Sequence, residues 1–60
     1  MERRDYEVDW SSNGLDFRYS GTETVFATNK EDAKERAIQA VSRKMVMARG
    51  LIVIGTVVEI

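Results

Sequence analysis

Apolar and polar residues alternate along Tyr6-Glu7-Val8-Asp9-Trp10, and again along Leu15-Asp16-Phe17-Arg18-Tyr19. A period of two marks a strand with one buried face. Asn13-Gly14 lies between the two runs, and both residue types tolerate the positive φ of a type I′ hairpin turn. A two-residue loop pairs Ser12 with Leu15, Trp10 with Phe17, and Asp9 with Arg18. A four-residue loop would set Asp9 opposite Asp16, and like charges directly opposed are unfavourable, so the tighter turn is preferred. Ser20-Gly21 gives a second turn into a third strand, Thr22 to Ala27, rich in β-branched and aromatic residues. In this register Tyr6, Val8, Trp10, Leu15, Phe17, Tyr19, Thr24 and Phe26 share one face. Glu7, Asp9, Asp16, Arg18, Glu23, Val25 and Ala27 take the other.

The period then changes. Ala33, Ala37, Val41 and Met45 recur every four positions, flanked by Ile38, Ala40 and Ala48, which predicts one apolar stripe on a helix from about Asn29 to Ala48. Thr28 and Glu31 have the spacing of a capping box, and Glu31 and Asp32 place negative charge in the first turn. Asp32 and Arg36 stand one turn apart as a favourable ion pair. Gly50 is the expected C′ residue, with Arg49 beside the last carbonyls. The final run, Leu51 to Ile60, is almost continuously apolar and predicts a strand buried on both faces. Turning Glu59 to water sends Leu51, Val53 and Val57 to its face. Ile52, Ile54, Val58 and Ile60 then lie beneath the helix. Gly55 marks a bulge or a close backbone approach.

The predicted fold is α+β, in the order β-β-β-α-β: a mainly antiparallel four-stranded sheet with one helix packed on one face. A helical crossover makes the last strand parallel to the first and third. It lies beside the first (order 3-2-1-4), which centres the hairpin, or else beside the third.

Length and composition narrow the function. Residues 1–60 form a single domain, with 1–4 frayed at the start. A chain of 60 residues buries only about 60% of its unfolded surface and is marginal alone. It holds neither Cys nor His, which removes disulfides, thiolate metal sites and the commonest general base. Oligomerisation is the support left open. Nine basic and ten acidic residues give a net charge of -1, too balanced for a strong counterion-release DNA binder. No apolar run reaches the roughly 18 residues of a membrane span, and no signal-peptide core is visible. The expectation is a soluble cytoplasmic protein without membrane contact.

Four features invite chemistry. Asp5, Glu7, Asp9 and Asp16 on one sheet face suggest a divalent-metal cluster, but nothing supplies a base, and charged outer faces are ordinary for such sheets. Tyr6, Trp10, Phe17, Tyr19 and Phe26 suggest a base-stacking platform, yet cations do not interleave with them and the helix needs an apolar partner. Lys30, Lys34, Arg36, Arg43, Lys44 and Arg49 lie along the helix, where Arg36, Arg43, Lys44 and Arg49 make a candidate nucleic-acid contact. Ser11-Ser12 lacks any activating group and reads as turn. No catalytic, cofactor-binding or metal-ligating residue is assigned, no cofactor is expected, and the reading is non-enzymatic.

The segment Val25-Phe26-Ala27-Thr28-Asn29-Lys30-Glu31-Asp32-Ala33, with Val57-Val58-Glu59-Ile60 later, resembles a pattern in small phage and mobile-element proteins. In those, a strand ending in Ala leads through a capping box into an Ala-rich helix and a final strand. Some phage anti-CRISPR proteins are similar in size and layout. The order of elements also resembles the antitoxin half of HicAB modules, although that family's Gly-rich loop and Pro-containing third strand are missing. The resemblance covers the C-terminal half and implies a binding role. The expected function is therefore a small protein-binding module, a phage-type inhibitor or accessory protein acting as a homodimer and on another protein. Val25, Leu51, Val53 and Val57 are the expected interface. Nucleic-acid binding through the helix is the alternative.

Overall fold

The computed structural model describes residues 2–14 and 18–60. Its elements are β1 (Arg4–Ser12), β2 (Ser20–Ala27), α1 (Lys30–Met45), a short 3₁₀ turn (Arg49–Leu51) and β3 (Ile52–Glu59). The strands form one sheet in the order β2-β1-β3, and both neighbouring pairs are antiparallel. The architecture is α+β, with one helix over a three-stranded antiparallel sheet.

Three expectations about topology change. First, β1 pairs directly with the strand expected to be third: Trp10 faces Gly21 and Asp9 faces Thr22, not Phe17 and Arg18. Ser12 closes this pairing, its N–H donating to the Tyr19 carbonyl (2.7 Å) and its Oγ accepting from the Tyr19 N–H (2.7 Å). Asn13 does not have the positive φ of a type I′ turn, because Val46 holds the only positive φ among the described non-glycine residues. Second, Arg18 and Tyr19 lie outside the strands, while Leu15 to Phe17 of the expected second strand fall outside the described residues. Third, β3 runs antiparallel to β1. With two strands before the helix among the described residues, β2 and β3 point the same way and β1 lies between them.

The register decides which residues are inside. Tyr6 faces Val25 and Arg4 faces Ala27 across the ladder. Tyr6, Val8, Trp10, Val25 and Ala27 are therefore buried together under the helix, and Phe26, opposite Asp5, points away. The predicted placement of Phe26 inside and Val25 outside is reversed, because a one-residue slip flips every side chain of a strand. On β3, Val57 faces Val8 and Ile54 faces Trp10. Gly55 and Thr56 thus stand opposite Asp9 alone, a β-bulge at the glycine the sequence had marked. The bulge keeps Ile52, Ile54 and Val57 on the helix side and turns Val58 out, the opposite of strict alternation.

The helix approaches closely because its inner face is small. Ala33 and Ala37 are fully buried against Tyr6, Val8, Val25 and Ala27, and Val41 packs with Trp10, Met47 and Ile52. Among the described residues no polar or charged side chain is buried.

Both helix ends differ from expectation by a few residues. Asn29, not Thr28, is the N-cap, and its Oδ1 accepts from the Asp32 N–H at 2.8 Å. Asp32 Oδ2 in turn accepts from the Thr28 N–H (3.1 Å), the Thr28 hydroxyl (3.3 Å) and Arg36 Nε (3.0 Å). The box is shifted by one residue, and Asp32 does the work expected of Glu31. At the other end the helix stops at Met45, short of Ala48, because Val46 turns left-handed (φ 50°, ψ 54°). The Val46 and Met47 N–H groups both donate to the Ser42 carbonyl, and Ser42 Oγ donates to the Met47 carbonyl (2.6 Å). That turn brings Met47 back into the core beside Trp10. Gly50 is not the terminator; it sits in the 3₁₀ turn.

Candidate functional site

With one helix over one face, the other face of the sheet is open. On β1 the open face carries Asp5, Glu7, Asp9 and Ser11. On β2 the partners in register are Phe26, Thr24, Thr22 and Ser20. On β3, Val58 faces Glu7 and Val53 faces Ser11, with Gly55 and Thr56 at the level of Asp9. Ile60, whose N–H donates to the Asp5 carbonyl (2.9 Å), continues this row. The result is a central column of three carboxylates between a Thr- and Phe-bearing strand and an aliphatic one.

The apolar members of this face are well exposed: Phe26 54%, Val53 46%, Val58 51% and Ile60 69%. Of the carboxylates, Asp9 accepts from the Thr22 hydroxyl at 3.0 Å. No basic residue occupies the open side of any described strand. Among the described residues, no group of three or more acidic side chains is arranged to hold a metal ion, and no enclosed pocket forms.

The expected interface is only partly on this face. Val53 lies there. Val25 is buried on the helix side, Val57 packs against the same core cluster, and Leu51 packs with Val41 and Met47. Register accounts for Val25, the bulge for Val57, and the 3₁₀ turn for Leu51. Phe26, Val58 and Ile60, which the sequence reading placed inside, are exposed instead. One signal was available. A Cβ added to Gly21 would come within 3.3–3.4 Å of the Trp10 indole. A glycine that clears space for the largest aromatic marks the true cross-strand partner.

Three of the four candidate nucleic-acid contacts are engaged. Arg36 bonds Asp32 (3.0 Å), Lys44 bonds Glu23 (3.0 Å) and Arg49 bonds Glu35. Arg43 is exposed and has no ion pair among the described residues. Such surface pairs stabilise weakly, but they compete with any phosphate. The Arg36 pairing and the Thr28 N–H bond also hold the Asp32 carboxyl below its ordinary value of 3.8; the backbone bond is the larger cause. From Lys30 to Arg49 there are six basic and three acidic residues. The helix layer is thus net positive and the open sheet face negative.

Among the described residues no helix is long and apolar enough to cross a membrane. No family model, curated protein or solved structure matches the chain.

Proposed function

We propose that the protein is a small non-catalytic module that binds another protein through the open face of its sheet and works as a homodimer. The role is that of an inhibitor or accessory protein, as the phage-type resemblance implies. One observation carries the reading: Phe26, Val53, Val58 and Ile60 stay exposed around a column of three carboxylates. Each large apolar side chain gains roughly 1.5–3 kcal/mol on full burial. A partner surface with aliphatic residues set beside Lys or Arg would take up both features. Nucleic acid ranks second, since the open face repels phosphate and three of the four candidate cations already have carboxylate partners.

The test uses tagged wild type, Glu7→Lys and Arg43→Glu expressed in source cells, with nuclease-treated extracts and quantitative mass spectrometry. The expected result is one protein enriched by wild type and by Arg43→Glu, and lost with Glu7→Lys. Capture that survives Glu7→Lys but is lost with Arg43→Glu or after nuclease treatment would transfer the function to the helix and to nucleic acid.

A further inference from the structure

β3 is an edge strand, and its outward backbone groups can be identified. Ile60 donates its N–H to Asp5 (2.9 Å), and Leu51 accepts from the Asn13 N–H (2.7 Å), so both turn their backbone groups toward β1. Backbone direction alternates along an antiparallel strand. Counting in from each end, Ile54, Val57 and Glu59 direct their N–H and C=O groups away from the sheet, and Ile52 directs its C=O outward while its N–H donates to the Arg49 carbonyl. Bulge, charge and proline are the usual guards of such an edge. Here the strand has a bulge but no proline, and Glu59 is its one charged residue.

We propose that a second copy of this chain pairs along β3, with the two-fold axis normal to the sheet and passing between Gly55 and Thr56. Ile54 then faces Val57 of the partner subunit, Ile52 faces Glu59 of the partner subunit, and Val53 faces Val58 of the partner subunit. This inference rests on the reading of the protein as a homodimeric binder and specifies where that dimer forms.

The bulge selects the register. Ile54 and Val57 span the same length as Trp10 and Val8 on β1, although two residues separate them instead of one. Two identical bulges related by the axis therefore stay in step. In that register every pair joins residues from the same side of the sheet. A slip of one residue sets Val53 opposite Val57 or Ile54 opposite Val58, which lie on different sides. A slip of two sets Ile54 opposite Gly55, or Thr56 opposite Val57, and the bulges no longer match. The four outward residues of each strand meet only one another: Ile54 and Val57 exchange both backbone bonds, and the Glu59 N–H donates to the Ile52 carbonyl, the Ile52 N–H staying with Arg49. A face-to-face dimer has no such fit, because a two-fold there brings the Asp5, Glu7 and Asp9 columns together.

The axis normal to the sheet leaves both helices on one side. The six-stranded sheet then has a single open face, with Val53 and Val58 of both copies forming an apolar strip between two carboxylate columns. The platform for a partner is larger than in one copy and is not obstructed by dimer formation.

The chain has no cysteine, so introduced thiols report without background. Val53 and Val58 form a non-hydrogen-bonded pair across the new ladder, with Cα atoms about 4.5 Å apart, within disulfide reach. Mild oxidation of a Val53→Cys/Val58→Cys double variant should give a covalent dimer. Each single variant alone should not, because the axis holds like residues about 13 Å apart; a mixture of the two singles should link. In sedimentation equilibrium Val58→Lys should raise the dimer dissociation constant at least tenfold, about 1.4 kcal/mol, while Glu7→Lys leaves it unchanged. Single variants that link as readily as the double, or a dimer weakened by Glu7→Lys and not by Val58→Lys, would overturn this pairing and leave self-association standing. A monomeric wild type at high micromolar concentration would overturn the dimer altogether; the Glu7→Lys capture result would still judge the docking face.

Discussion

Val8 and Val58 are diagonal neighbours on adjacent strands, and they lead different lives. Val8 is fully buried beneath α1, among Tyr6, Val25, Ala27, Ala33 and Ala37. Val58, one residue along from the partner of Val8, is half exposed beside Glu7. Both are valines next to a carboxylate residue, Val8 between Glu7 and Asp9 and Val58 before Glu59, so residue type does not separate them. What separates them is the helix, which can cover only one side of a sheet. On the covered side a valine is part of the fold. On the open side the same valine is spare to the fold and free for a partner.

The sharpest way to break this comparison is the near-isosteric change to threonine at both positions. Val8→Thr buries a hydroxyl with no partner and should cost about 1–3 kcal/mol. Val58→Thr should change stability by less than about 0.5 kcal/mol. Urea denaturation at a concentration where the protein is monomeric measures both. Equal losses would mean that the open face is covered within the monomer.

The two helix ends sharpen it next, since the helix makes the sides differ. Asn29→Ala removes the N-cap acceptor and should cost about 1 kcal/mol. Val46 holds a left-handed conformation that a β-branched residue resists, and it is 91% exposed, so its side chain has little packing to lose. Val46→Gly should therefore stabilise by about 1 kcal/mol, seen as a rise in Tm of about 4–8 °C. An unchanged Tm for Val46→Gly would mean that the helix end does not limit stability.

The smallest expected effect is that of pH. The Asp32 carboxyl is held below its unfolded value by the Thr28 backbone bond first and Arg36 second. A lowered folded pKa stabilises above the unfolded pKa, and that contribution fades as pH falls through the folded one. Thermal melts of wild type should lose stability below about pH 4, more steeply than those of Asp32→Asn. Parallel acid limbs would remove Asp32 from the account.

How much of this was legible in the sequence depended on the range of the signal. The helix stripe Ala33, Ala37, Val41 and Met45 was readable because it is local and its spacing of four residues recurs. The alternation of Tyr6, Val8 and Trp10 was readable for the same reason. The partner of Trp10 was not, because Asn13-Gly14 offers a strong local turn while the actual pairing reaches to Gly21. That single misassignment carried Phe26 to the wrong side; the bulge alone did the same for Val57 and Val58. The capping box was off by one because Thr28 and Asn29 are both good caps, and Glu31 and Asp32 both fit the third position. The left-handed Val46 was unreadable: nothing in its type favours that conformation, and the burial of Met47 imposes it. The open face was thus only partly visible in advance, through Val53 and the carboxylates of β1.

The bulge has one more consequence. Opposite Asp9, β3 has two residues where a regular ladder has one. Removing either leaves Ile54, one open-side residue and Val57, with every later side chain on its present side. Removing a residue in the middle of β1 or β2 would instead invert everything beyond it. Gly55 does not hold the bulge by conformational privilege, for its φ is not positive. A Cβ there would meet Asp9 only at ordinary contact distance, 3.6 Å. Positions 55 and 56 are thus the place in this sheet where chain length and side-chain facing are decoupled. A deletion or a substitution can be absorbed there without exchanging core for surface.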